Sequence, residues 1–112
     1  MPSQVRSSRD VILRTPDSSL AREFYGQVLG LTVTDESESL LRVETGAFRL
    51  FVESGAPHGP VFDFLVSDVQ AMKAKLLAAG CVVLEEDPSV PRCYMRDPFG
   101  LVFNLGLTAT PE

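Results

Sequence analysis

Several features that would assign a chain to a broad class are missing from this sequence of 112 residues. No apolar run approaches the roughly 18 residues needed to span a bilayer. The first eight residues contain no apolar stretch of the signal-peptide kind. We therefore expect a cytoplasmic protein. Basic residues are also few, with 10 Lys and Arg against 15 Asp and Glu, giving a net charge of −5. This balance argues against binding to nucleic acids or anionic membranes, because both need a basic face.

Cysteine and histidine are also scarce, with two cysteines and one histidine in the chain. Cys81 and Cys93 lack CxxC spacing. A disulfide between them remains an alternative, but in a reducing compartment we expect two buried or half-buried thiols. For Cys93 we favour packing over a nucleophilic role. His58, the single histidine, lies in a segment rich in Pro and Gly. We expect it to be exposed there, and the alternative is that it reaches into a site as a general base.

An internal repeat is the main feature that the sequence does contain. Asp17 and Asp68 each follow a β-like segment, and they stand about half the chain length apart. Gly30 and Gly80, at nearly the same separation, each end a helical segment. A period of this length indicates a duplicated supersecondary unit. We predict one α+β domain over residues 1–112, built from two tandem β-α-β-β-β units.

Within this domain, unit one covers about 9–53, a Pro/Gly-rich linker covers 54–60, and unit two covers about 61–107. The predicted strands are 10–15, 31–34, 40–44, 47–53, 61–66, 81–84, 92–96 and 101–107. The acidic segments 35–39 and 85–88 are predicted turns, and 1–8 and 108–112 loose ends. Asp17 and Asp68 should cap helices whose inward stripes are Leu20, Phe24 and Val28, and Val69, Met72, Leu76 and Ala79.

Alternation of side chains along a strand separates the two faces of the predicted sheet. The positions expected to pack on the helices are Val11, Leu13, Thr15, Phe62, Phe64 and Val66. The opposite face combines charges with apolar groups, which is typical of a cleft for a small molecule. The predicted ligand-binding residues are Asp10, Ile12, Arg14, Phe51, Val61, Asp63, Leu65, Tyr94 and Asn104. As alternatives, Arg14 and Asp63 form a structural salt bridge, and Tyr94 is a core residue.

Two phrases carry a resemblance to a known family. They are Phe24-Tyr25-Gly26-Gln27-Val28-Leu29-Gly30-Leu31 and Arg96-Asp97-Pro98-Phe99-Gly100. Together with the duplication they resemble the vicinal oxygen chelate superfamily, which includes glyoxalase I, extradiol dioxygenases, fosfomycin-resistance enzymes and bleomycin-resistance proteins. The resemblance implies curved, mixed sheets that form a cleft, commonly in a homodimer.

The resemblance also implies positions for a divalent metal. In enzymes of the superfamily, ligands stand at the start of the first strand of each unit and near the end of its last strand. The matching positions here are Asp10, Val61, Asn104 and either Leu50 or Phe51. Apolar side chains cannot bind a metal, and hard cations need several converging oxygen or nitrogen ligands. We therefore expect no metal and no other cofactor.

Three functions follow from these observations. The first is a metal-free binding protein of the glyoxalase/bleomycin-resistance type, a homodimer holding a small organic ligand. The second is an enzyme: a lyase, isomerase or dioxygenase with an atypical metal site at Asp10, Glu53 and His58, or a metal-free enzyme with Asp10 or Asp63 as base. The third is a structural dimer.

Overall fold

The computed structural model of the chain describes residues 5–89 and 92–108. The helices are α1 (Ser18–Glu23), which continues directly into a π-helical segment (Phe24–Val28), and α2 (Val69–Ala78). The strands are β1 (Arg6–Thr15), β2 (Thr32–Ser37), β3 (Leu40–Glu44), β4 (Arg49–Ser54), β5 (His58–Val66), β6 (Val82–Asp87), β7 (Arg92–Arg96) and β8 (Val102–Leu107). None of the helices in the described part is long and apolar enough to cross a membrane.

The chain separates into two compact units. The first unit is Arg9–Pro60, and the second unit is the chain from Val61 onward together with the described residues before Arg9. In the first unit the strand order is β2-β3-β4-β1, with β1 parallel to β4 and the other pairs antiparallel. In the second unit the order is β6-β7-β8-β5, with β5 parallel to β8. Both units are β-α-β-β-β, and the predicted α+β class is confirmed.

The residues that begin and end the helices match the prediction. At the start of α1, Asp17 Oδ1 accepts a hydrogen bond from the backbone N–H of Leu20 at 3.0 Å. At the start of α2, Asp68 Oδ1 accepts one from the backbone N–H of Ala71 at 3.0 Å. These bonds satisfy N–H groups that have no partner within a helix. Gly80, with φ at +104°, follows α2 in the left-handed region, where a side chain would be strained.

Each unit has its own core between helix and sheet. In the first unit, buried residues of β3 and β4 pack with Val11 and Leu13 of β1 and with the helix. In the second unit, the core contains Val66, Cys81, Cys93, Met95, Phe103 and Leu105, against which Phe64 and the α2 residues Val69, Met72 and Leu76 pack. The predicted inward positions Val11 and Leu13 of β1, and Val69, Met72 and Leu76 of α2, are therefore confirmed. Thr15 is not part of the core, and Ala79 lies beyond α2 and is exposed. Phe62 of β5, which was likewise predicted to pack on the helix, is instead 37% exposed.

The predicted inward stripe of the first helix is wrong by one position. Leu20, Phe24 and Val28 are 63%, 48% and 68% exposed, whereas Ala21 and Tyr25 pack against the core. Both sets repeat every four residues, so periodicity alone does not choose between them. The small Ala21 lets the helix approach the sheet closely, which the bulkier Leu20 would not.

Two strands extend through the acidic segments that were predicted as turns. β2 runs to Ser37 and β6 to Asp87. The acidic side chains pair with basic ones on neighbouring elements: Arg22 with Asp35, Arg42 with Glu36, Arg92 with Glu85 and Lys73 with Glu86. These pairs favour an extended backbone where sequence composition alone suggested a solvated turn.

The predicted linker and N-terminal end are also shorter than expected. β1 begins at Arg6, and β4 and β5 leave only residues 55–57 between them. His58 therefore belongs to a strand and not to a linker, and it is half-buried. The remaining end residues, 1–4 and 109–112, lie outside the described part.

Candidate functional site

In the first unit, the sheet face turned away from the helix carries the predicted site residues. We call this the first polar face: Asp10, Ile12 and Arg14 of β1 with Arg49, Phe51 and Glu53 of β4. The register places Ile12 opposite Phe51 and Val11 opposite Leu50. Leu50 is part of the core. The position that matches Asn104 in the second unit is therefore Phe51 and not Leu50.

Ion pairs link the two strands of the first polar face. Arg49 Nε donates to Asp10 Oδ1 at 2.7 Å, and Arg14 Nε donates to Glu53 Oε1 at 3.1 Å. The Arg49 guanidinium also lies 6.0 Å from the ring centroid of Phe51. Arg49 and Glu53 share one face of β4, and each binds the residue opposite it on β1. Both pairs are partly exposed, so each contributes at most about 1 kcal/mol to stability.

Glu44 lies at the edge of this face, opposite Arg49 on the neighbouring strand. The backbone N–H of Gly46 donates to its carboxylate at 2.9 Å, and Arg9 lies 2.5 Å away. The hydrogen bond from Gly46, followed by the Arg9 pair, lowers the pKa of Glu44 below its ordinary value. Glu44 therefore holds a proton less tightly than an ordinary glutamate.

The second unit has an equivalent surface. We call it the second polar face: Asp63 and Leu65 of β5, Asn104 and Gly106 of β8, and Tyr94 of β7. Asp63 lies opposite Asn104, and Asn104 lies opposite Tyr94. This register brings three of the predicted site residues into one row across the sheet.

A hydrogen-bond network fixes that row. Asn104 Oδ1 accepts from the backbone N–H of Cys93 at 2.9 Å, and Asn104 Nδ2 donates to Asp63 Oδ1 at 3.0 Å. The second carboxylate oxygen of Asp63 accepts from Ser8 Oγ at 2.9 Å. Asp63 is therefore held by neutral donors within its own unit, and Arg14 pairs with Glu53 within the other.

Ser8 and Gly106 belong to this arrangement, and sequence reasoning missed both. A Cβ atom on Gly106 would lie 3.3 Å from Asp63 Oδ1 and 3.2 Å from Leu65 Cδ2. The glycine thus leaves the space that the carboxylate needs. A glycine inside a strand is itself a signal of such close approach. Ser8 had no comparable signal, because it falls in a polar stretch at the chain end.

Val61 and Tyr94 are buried, at 1% and 3% exposure. The Arg92 guanidinium lies 5.4 Å from the centroid of the Tyr94 ring, and Arg92 Nη1 also binds Glu85 at 3.0 Å. This geometry fits a cation–π contact. Tyr94 therefore has the burial of a core tyrosine, and its role toward a ligand stays a prediction.

The residues at the family's metal positions do not fit a metal. These positions hold Asp10, Val61, Phe51 and Asn104, of which two are apolar. Asp10 is bound to Arg49, and the amide of Asn104 is hydrogen-bonded at both ends. Among the described residues, no group of three or more His, Cys, Asp or Glu is placed to hold a metal ion.

The atypical metal set of Asp10, Glu53 and His58 also fails on geometry. Asp10 lies opposite Arg49, and Glu53 lies opposite Arg14, four residues further along β1. At about 3.3 Å per residue, the two rows are roughly 13 Å apart. Ligands of one metal ion lie within about 2.6 Å of it, so Asp10 and Glu53 cannot share an ion.

Two open hollows lie elsewhere on the first unit, and neither contains a predicted site residue. One has a volume of about 400 Å³ and is lined by residues of α1, β2 and β3, including Ser19, and by Glu38 of the turn between the two strands. The other, of about 440 Å³, lies between the π-helical segment and β2 and includes Gln27 and Val33. The Arg22 side chain contributes to both.

The two cysteines are free thiols, and both are buried in the core of the second unit. This confirms the predicted packing role. Burial raises the pKa of both thiols, with a smaller contribution from Asp97 at Cys81 and from Glu86 at Cys93. A raised pKa disfavours the thiolate, which is the reactive form.

We expect the native thiols to react with a disulfide reagent at pH 8 at least about a hundredfold more slowly than in concentrated guanidinium chloride. Single variants, Cys81→Ala and Cys93→Ala, assign the two reactions. The raised pKa values also make stability depend on pH. The free energy of unfolding that comes from keeping the two thiols protonated is fully present below their ordinary pKa. It is lost as pH rises through the folded values. A native thiol that reacts as fast as the unfolded chain would contradict the burial.

Comparison with known proteins supports the same fold. The model of the glyoxalase-like domain family matches residues 10–106. An Mn(II)-bound glyoxalase from Novosphingobium aromaticivorans superposes with a TM-score of 0.64 at 22% identity, over 95% of this chain and 40% of that one. A glyoxalase/bleomycin resistance protein/dioxygenase superfamily member from Vibrio splendidus 12B01 gives 0.59 at 16% identity, over 94% and 100%.

An extradiol ring-cleaving dioxygenase from Brevibacterium fuscum gives a TM-score of 0.63 at 23% identity, over 94% of this chain and 33% of that one. This chain thus spans about a third of the dioxygenase and two fifths of the glyoxalase. None of the curated proteins matches it. The match of the family model over nearly the whole sequence, with the duplicated β-α-β-β-β topology, leads to one conclusion. The chain belongs to the glyoxalase-like domain family of the vicinal oxygen chelate superfamily.

Proposed function

We propose that this protein binds a small organic molecule on a polar sheet face without a metal, as a homodimer. The observation that supports this is the state of the four positions where the family's enzymes hold their metal. Two are apolar here, and the two polar ones already bind protein groups. These residues disfavour chelate chemistry, whereas the polar faces still offer apolar and charged side chains to a ligand.

The composition of the polar faces suits binding. Ile12, Phe51 and Leu65 offer apolar and aromatic contact area. On the first polar face, the charged groups Asp10 and Arg14, each fixed by pairing, stand on the same strand as Ile12. Small-molecule sites combine these features: apolar walls give affinity, and a few fixed polar groups give orientation. Because the polar groups are held by neighbours before a ligand arrives, little conformational entropy is lost on binding.

The test combines metal analysis with a ligand screen on one preparation purified without chelator. We expect each of Mn, Fe, Ni and Zn at less than about 0.1 equivalent. We also expect at least one compound in a small-molecule screen to bind saturably and to raise the melting temperature. Phe51→Ala should weaken that binding about tenfold or more, because it removes an aromatic contact. Phe48→Ala, a matched change of an exposed phenylalanine outside the polar faces, should not.

Contrary outcomes separate the rival functions. About one equivalent of a tightly held metal would refute the metal-free proposal and favour an enzyme of the superfamily. A screen without any saturable ligand would favour a purely structural protein. Sedimentation at several protein concentrations tests the homodimer independently of both.

A further inference from the structure

We infer that the second polar face recognises an organic cation, such as a protonated amine, through the carboxylate of Asp63. This inference rests on the proposed binding function and names the chemical class of its ligand. Its starting point is the partner set of Asp63. The carboxylate is half-buried, and its two hydrogen bonds come from neutral groups, the hydroxyl of Ser8 and the amide of Asn104.

Asp63 differs in this respect from three other carboxylates on strands of the two units. Asp10 is paired with Arg49, Glu53 with Arg14, and Glu85 with Arg92. Among the described residues of its own unit, no basic side chain forms an ion pair with Asp63. A partly desolvated carboxylate is stabilised most by a cationic partner. The protein supplies such a partner to the other three carboxylates, and at Asp63 the ligand can supply it.

The carboxylate is also held ready for such a partner. Each of its oxygens accepts one hydrogen bond from a protein donor, 2.9 Å from Ser8 and 3.0 Å from Asn104. A carboxylate oxygen has two acceptor sites, so each oxygen keeps one for an incoming N–H group. The close approach of Gly106, whose added Cβ would lie 3.3 Å from Oδ1, gives the group its room. An ammonium group can therefore dock without reorganising the network.

The neighbours of Asp63 suit the organic part of such a ligand. Leu65 is two residues along the same strand, and Gly106 lies opposite it. The arginines of β7 do not occupy the position: Arg92 is bound to Glu85, and the exposed Arg96 lies two strands away. An apolar strip beside one fixed negative charge is complementary to an alkyl or aryl ammonium ion.

Three probes that share a ring and differ in charge test this inference: benzylamine, benzyl alcohol and benzoate. We expect calorimetric titration at neutral pH to show benzylamine binding about tenfold more tightly than benzyl alcohol, with benzoate weakest. Asp63→Asn should remove the preference for the amine, and added salt should weaken amine binding selectively. Asp35→Asn makes the same change at an exposed carboxylate of β2 and should leave the preference intact.

The variants also control for folding. Melting curves establish whether Asp63→Asn is folded. Asp63→Glu, which keeps the charge, should retain a preference for the amine. Equal or tighter binding of benzyl alcohol or benzoate to the unchanged protein would overturn the cation assignment while leaving the proposed binding function standing. The same holds for an amine preference that survives in a folded Asp63→Asn variant. Failure of the broader ligand screen would instead remove the binding function itself.

Discussion

Replacing Gly59 with alanine should lower the free energy of unfolding by about 2–4 kcal/mol. Gly59 has φ at +112°, a conformation that costs a residue with a side chain about 1–3 kcal/mol. A Cβ atom there would also lie 2.8 Å from the carbonyl oxygen of Ile12. Real Cβ atoms essentially never come this close to another heavy atom. Because that contact is with backbone, no side-chain rotation relieves it. Urea denaturation followed by circular dichroism measures the change.

Gly46→Ala is the matched control for this prediction. Gly46 has φ at +97°, but nothing lies within 4 Å of an added Cβ atom. The control therefore carries the backbone strain without the clash, and we expect a loss of about 1 kcal/mol. If both variants lose the same stability, the contact between Gly59 and Ile12 is not a close one.

Asn104→Ala is the second change with a large expected effect, about 2–4 kcal/mol of unfolding free energy. It removes the acceptor of the Cys93 backbone N–H, and Cys93 is buried at 3% exposure. It also removes the amide donor to Asp63. Leaving the buried Cys93 N–H without its partner costs about 1–3 kcal/mol, and the loss of one of the two donors to the half-buried Asp63 adds about 1 kcal/mol. The same denaturation measurement, repeated on this variant, tests the estimate.

Ser8→Ala separates the two contributions. It removes the other donor to Asp63 and leaves the bond between Asn104 and the Cys93 amide in place. We expect a loss of about 1 kcal/mol. A loss for Asn104→Ala no greater than that for Ser8→Ala would show that the Cys93 amide does not depend on the Asn104 side chain.

The sequence predicts most of the fold because its strongest signals are local. Asp17 and Asp68 cap their helices as expected, since a capping side chain needs partners only two or three residues away. The duplicated order of strands and helices follows from the same short-range signals. The first helix is different: Leu20 and Ala21 both fit a four-residue repeat. The choice between them depends on how closely the helix approaches the sheet.

The candidate site was less predictable, because it depends on register between strands far apart in sequence. Alternation places Asp63 and Asn104 on one face, but only the register makes them direct neighbours. The pairing of Asp10 with Arg49 has the same origin. Ser8 was missed because a single serine hydroxyl has no periodic or compositional signal. The roles of the predicted ligand-binding residues stay predictions until a ligand is found.

The parallel pairing of first and last strands has a consequence for how the chain reaches this structure. In each unit the three later strands form a meander of neighbours, which can assemble through short loops. The first strand must then join a partner about forty residues away, as the separations of 39 for Asp10 and Arg49 and 41 for Asp63 and Asn104 show. Closing a long loop is slow, because the chain loses conformational entropy before the new contacts compensate for that loss. We therefore expect the pairing of the first strand to be a late step in the folding of each unit, so that the chain completes such a step twice.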